Sequence, residues 1–82
     1  MPHKKQIHTE RHRAFRALLV AERKARGFTQ TQIALRLGKP PSYVAKYELG
    51  ERRLDVLEFL DLSEAIGFDA SALLEKLKKG GD

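Results

Sequence analysis

The chain of 82 residues contains no cysteine and no tryptophan, a single methionine and three prolines. Without thiols it forms neither a disulfide framework nor a thiolate metal site, so a domain this short must be held by its apolar core. Long apolar runs are missing too. Nothing approaches the roughly eighteen apolar residues of a membrane span, and Met1-Pro2-His3-Lys4-Lys5-Gln6 lacks the apolar stretch of a secretory signal. These absences predict a cytoplasmic protein. No segment reads as β-strand, and no repeat or low-complexity tract appears.

Groups for catalysis are equally scarce. The serines, Ser42, Ser63 and Ser71, have no nucleophile-elbow context around them. His8 and His12 stand four residues apart, but Thr9 follows His8 where a zinc-protease helix carries its glutamate. The glycines are spread along the chain and form no phosphate-binding loop. No catalytic residue, metal or cofactor is therefore expected, and the chain does not read as an enzyme.

What the sequence does have is charge, unevenly placed. The net charge is +5. Residues 1–53 carry 13 Lys or Arg against 4 Asp or Glu, a net of +9, whereas residues 54–82 carry 3 against 7, a net of −4. A polyanion would be drawn to the first part and turned away from the second. Charge alone fits a generically basic surface equally well; its coincidence with the helix-turn-helix described below is what points to double-stranded DNA.

Apolar spacing predicts an all-α, compact bundle of about five short helices. Residues 1–8 read as a flexible basic tail. A first helix follows over 11–26, with Thr9 near its N-cap and Phe15, Leu18 and Leu19 turned inward. Thr29 caps a second over 30–37, and a third runs over 41–49 up to Gly50. Asp55-Val56-Leu57-Glu58 is a capping box opening a fourth over 56–66. Asp69 caps a fifth over 70–79, rich in lysine at its C-terminal end. The domain thus spans 9–79, with 80–82 a flexible C-terminus. On the fourth helix Val56, Phe59, Leu60 and Ile66 are expected inside, with Glu58, Asp61 and Glu64 on a solvated face that also carries Leu57.

The second and third helices are separated only by Gly38-Lys39-Pro40-Pro41, which makes the tract a helix-turn-helix. Gly38 suits the left-handed stop of one helix, and Pro41 suits the first turn of the next, where a missing N–H costs nothing. Small Ala34 lets the two axes approach. The arrangement braces one helix on a nucleic-acid backbone while the other enters the major groove.

The tract and its surroundings resemble the lambda-repressor-like, or XRE, family of helix-turn-helix regulators. The resemblance runs through Leu18-Leu19-Val20-Ala21-Glu22-Arg23, Gly27-Phe28-Thr29-Gln30, Ile33-Ala34, Leu37-Gly38, Val44, Tyr47-Glu48-Leu49-Gly50, Phe59-Leu60 and Ile66-Gly67-Phe68. It implies a five-helix bundle that binds operator DNA as a symmetric dimer. By matching positions, Pro41, Ser42 and Lys46 face the bases. Thr29 and Gln30 at the start of the second helix, Lys39 and Tyr43 at the rim, and Arg52 and Arg53 in the following loop face phosphates. Arg23 and Glu48 are expected as a partly buried ion pair. The chain departs from the family in presenting Pro40-Pro41-Ser42 where side chains able to bond a base twice are usual. Ser42 is also the alternative cap of that helix.

A single short recognition helix reads too few base pairs alone, so a homodimer is expected, weak in the absence of DNA. With no appended domain to supply the contact, Leu57, Leu73 and Leu77 are its candidate residues. The alternative reading is a protein-interaction module, such as the antitoxin of a toxin pair or the controller of a restriction system.

Overall fold

The computed structural model describes the backbone of residues 3–80 and the side chains of residues 10–80. Five helices follow one another: α1 (His3–Ala25), α2 (Gln30–Leu37), α3 (Ser42–Leu49), α4 (Val56–Ile66) and α5 (Ala70–Gly80). No strand occurs among the described residues. The chain is an all-α bundle in which α2 packs on α3 and α4, α1 on α3 and α5, and α4 on α5.

α1 departs from expectation. It begins at His3, so residues 3–8 continue the helix and Thr9 lies within it instead of capping it. The cause is the absence of a breaker: between His3 and Arg26 there is neither glycine nor proline, and Lys, Gln, Glu, Arg, Ala and Leu predominate. Residues 1–2 and 81–82 of the expected tails lie outside the described residues.

The other ends follow from local chemistry. Thr29 Oγ1 accepts from the Gln32 amide at 3.1 Å and the Thr29 amide donates to Gln32 Oε1 at 2.9 Å, a capping box that opens α2. Asp55 and Glu58 form the same reciprocal pair at α4, at 2.7 and 3.0 Å. Asp69 Oδ1 accepts from the Ala72 amide at the start of α5. Gly38 closes α2 at φ 68°, a left-handed conformation that lets the Lys39 amide return to the Ala34 carbonyl at 2.9 Å.

Between α2 and α3 the chain turns on Pro40 and Pro41. Pro41 already has helical φ and ψ of −55° and −29°, and neither it nor Ser42 gives α3 a side-chain cap. The Tyr43 amide instead donates to the Pro40 carbonyl at 2.9 Å. Ring geometry at Pro41 thus does what a capping hydroxyl does elsewhere, by fixing the first helical φ in advance.

The core gathers Leu19, Ile33, Ala34, Val44, Tyr47, Phe59, Leu62, Ile66, Phe68 and Leu73. Phe59 is central: its ring lies 5.5 Å from Phe15 of α1 and 5.9 Å from Phe68 in the α4–α5 loop, within the range of favourable aromatic pairing. The inward stripe of α4 is Phe59, Leu62, Ser63 and Ile66, a regular i, i+3, i+4, i+7 set. Val56 and Leu60, expected inside, face outward. Ser63 takes the inner place at little cost, because its hydroxyl donates to the Leu60 carbonyl at 2.7 Å. Leu73 is only 1% exposed and belongs to the core, which removes it as a contact for a second subunit.

Candidate nucleic-acid interface

Val44 and Tyr47 fasten α3 to the bundle, and this decides which side chains it shows. Pro41, Ser42 and Lys46 are exposed, the latter two one turn apart on the outer face. Leu49 is exposed at the last turn and extends that face with an apolar side chain, a feature the sequence reading missed.

A charged network holds α3 in place from below. Arg23 of α1 donates from Nε to Glu48 Oε2 at 2.8 Å and from Nη2 to Glu48 Oε1 at 3.1 Å, while its Nη1 donates to the Phe28 carbonyl at 2.8 Å. Both side chains are largely buried, at 9% and 7% exposure. Hydrogen bonding to Glu48 outweighs burial and holds the Arg23 guanidinium above its ordinary pKa. Gln30 joins them, donating from Nε2 to Glu48 Oε1 at 2.8 Å. One carboxylate thereby links α1, the first residue of α2 and the end of α3. Two parallel arginine bonds carry angle as well as energy, so the network sets the tilt of α3 against α2.

The rim residues are arranged otherwise than expected. Tyr43 is not an exposed rim group: it is 7% exposed and packs edge-on against Tyr47 at 5.9 Å. Burial first, and Glu58 next, raise its phenol pKa. Its ring serves as a shelf, with Lys39 Nζ 5.5 Å and the Arg52 guanidinium 4.9 Å from its centroid. Arg52, with its side chain still 38% exposed, is paired. It donates to both Glu58 oxygens, at 3.0 and 2.7 Å, and to the Arg53 carbonyl at 2.9 Å. These bonds, with the Asp55 amide, hold the Glu58 carboxyl down to about 2. Glu58 was read from the sequence as a helix cap on a solvated face; nothing in its position announced a second task.

Arg53 is exposed, and its side chain has no hydrogen bond or ion pair among the described residues. Lys39, Lys46 and Arg53 are exposed cations of this face, Arg16 of α1 brings its guanidinium against Gly50 at the end of α3, and Glu51 is an exposed acid among them. Thr29 is exposed at the start of α2 beside Gln30, where free backbone amides carry partial positive charge. Behind the face, the Tyr47 hydroxyl is buried without a hydrogen-bond partner among the described residues, and burial pushes its pKa up.

Two short helices at a fixed tilt, the second presenting polar and cationic side chains to solvent, define a helix-turn-helix DNA-binding module. Comparison with known proteins agrees: residues 19–73 match the family model described as helix-turn-helix. An XRE-family like protein from Pseudomonas syringae pv. tomato str. DC3000 is 48% identical, covers 96% of each chain and superposes with a TM-score of 0.92. No curated protein matches the chain. The chain belongs to the XRE family of helix-turn-helix DNA-binding regulators. No helix among the described residues is long and apolar enough to cross a membrane.

Proposed function

We propose that this protein is a sequence-specific, repressor-like regulator that binds operator DNA as a two-fold symmetric dimer, with α3 in the major groove. The observation carrying this reading is the division of α3: Val44 and Tyr47 buried, Ser42 and Lys46 exposed, and Glu48 fixing the tilt through Arg23 and Gln30. Lys46 and Ser42 read base edges, with Pro41 offering an apolar contact to a thymine methyl. Lys39, Arg53 and the start of α2 at Thr29 and Gln30 hold phosphates on either side. Few side chains here bond a base twice, so sequence-dependent DNA shape supplies part of the selectivity.

Dimerisation falls to the outer edge of α4 and α5, where Leu57 is 71% exposed and Val56, Leu60 and Leu74 are exposed around it, with Leu77 half-buried. The same apolar patch supports a second reading, in which it binds a different protein, such as a toxin under the control of this chain. Binding titrations against a panel of duplexes test the first. Lys46→Ala is expected to change which duplex is preferred, whereas Arg53→Ala weakens all of them by a similar factor. A uniform loss on Lys46→Ala would remove its base-reading role.

A further inference from the structure

The loop after α3 carries two adjacent arginines, and the structure treats them differently. Arg53 is exposed and its side chain is unpaired among the described residues, while Arg52 has its two terminal nitrogens bonded to three acceptors and its guanidinium 4.9 Å from the Tyr43 ring centroid. We infer that Glu58 is a positioning residue that withholds Arg52 from the DNA phosphates, so that the loop contributes one cationic contact per subunit rather than two. This rests on the DNA-facing role proposed above for α3 and its flanks.

Phosphate and the Glu58 carboxylate compete for a single guanidinium. Three of its five N–H groups are taken, so a phosphate that binds Arg52 through both terminal nitrogens has to displace a bidentate carboxylate that is itself oriented by the Asp55 amide and whose departure opens half of the capping box of α4. Arg52 would also leave the Tyr43 ring, which packs at the start of α3. Its charge is thus spent on fastening the N-terminal end of α3 to α4, the counterpart of what Arg23 and Glu48 do at the other end. Glu58 in turn places a carboxylate beside the backbone path, where its charge opposes phosphate approach.

Glu58→Gln separates these roles, because glutamine in the third position of the helix keeps the capping box while giving up the charge that holds Arg52. The measurement is the salt dependence of binding to a non-specific duplex by the parent, Glu58→Gln, Arg52→Gln, Arg53→Ala and the double variant Glu58→Gln/Arg52→Gln. Each phosphate contact adds about 0.9 to the log–log slope, or about a three- to fourfold larger loss of affinity between 50 and 200 mM salt. The expected pattern is a slope steeper by about one contact per subunit in Glu58→Gln and shallower by one in Arg53→Ala. Arg52→Gln keeps the parent slope, and the double variant returns to it.

A parent slope that already falls by one contact in Arg52→Gln would overturn the inference, since Arg52 would then reach phosphate from within the ion pair. So would a double variant as steep as Glu58→Gln, which would assign the effect to lost repulsion alone. A parent that binds no duplex at any salt overturns the DNA-facing role together with it. A parent that binds normally with the slope of Glu58→Gln unchanged overturns only the role of Glu58.

Discussion

Replacing Glu48 by alanine should be among the most damaging single changes outside the apolar core. The substitution leaves Arg23, 9% exposed, with the Phe28 carbonyl as its remaining acceptor and strips Gln30 Nε2 of its partner. Breaking a buried ion pair from one side costs about 3–5 kcal/mol, because the remaining charge stays buried and unpaired. Arg23 lies near enough to the surface to recover some hydration, which places the expected loss near the lower end, about 3 kcal/mol. For a domain of this size that lowers Tm by roughly 12–24 °C, out of a total stability on the order of 5–15 kcal/mol. Thermal and urea unfolding followed by circular dichroism read the loss directly. The companion double variant Arg23→Met/Glu48→Leu should recover most of it, since no buried charge is then left alone. A loss below about 1 kcal/mol for Glu48→Ala, or a double variant whose losses simply add, would refute the role given to the network.

Three further outcomes are expected. Glu58 titrates at about 2 when folded against an ordinary 4.5; its contribution is therefore full above pH 4.5, declines as pH falls through 2, and is gone below. The stability difference between the parent and Glu58→Gln should shrink accordingly in urea melts at pH 7, 4 and 2, and a difference independent of pH would contradict the pairing. Tyr47→Phe removes a buried hydroxyl that has no partner among the described residues and should leave Tm unchanged or raise it, by up to about 1–3 kcal/mol in stability; a clear fall would mean that the hydroxyl is bonded. Leu57→Glu should abolish cooperative filling of paired half-sites in gel-shift titrations without unfolding the domain, and unchanged cooperativity would take Leu57 out of the dimer contact.

Much of the fold was legible because short-range chemistry dictated it. The cap at Thr29, the box at Asp55 and the stops at Gly38, Gly50 and Gly67 each depend on residues within a few positions of one another, and α2 and α4 begin and end where those signals stand. The start of α1 was misread because a polar run without Gly or Pro is compatible with either a tail or a helix, and composition alone does not decide between them. Leu73 was taken for a surface residue although the α5 face meeting α1 and α4 buries it.

In the site, the approach of Arg23 to Glu48 was readable from the family resemblance, but the place of Gln30 in the same network was not. The resemblance gives Gln30 a phosphate contact, and nothing local reveals that its side-chain amide also bonds Glu48. Tyr43 and Arg52 were assigned to the DNA rim on position within the motif. Tyr43 is buried against Tyr47, and Arg52 is held by Glu58 across the short loop between α3 and α4; the loop conformation that brings these two together, six residues apart, leaves no mark in helical spacing.

Selection of bound duplexes from a random pool asks whether α3 reads operator DNA as one half of a symmetric pair. The expected result is an enriched sequence with two-fold symmetry, its half-sites about 10–10.5 base pairs apart centre to centre, and a shift in the enriched bases when the selection is repeated with Lys46→Ala. Enrichment of an asymmetric site that takes up one protein molecule, or of no sequence at all, would contradict it.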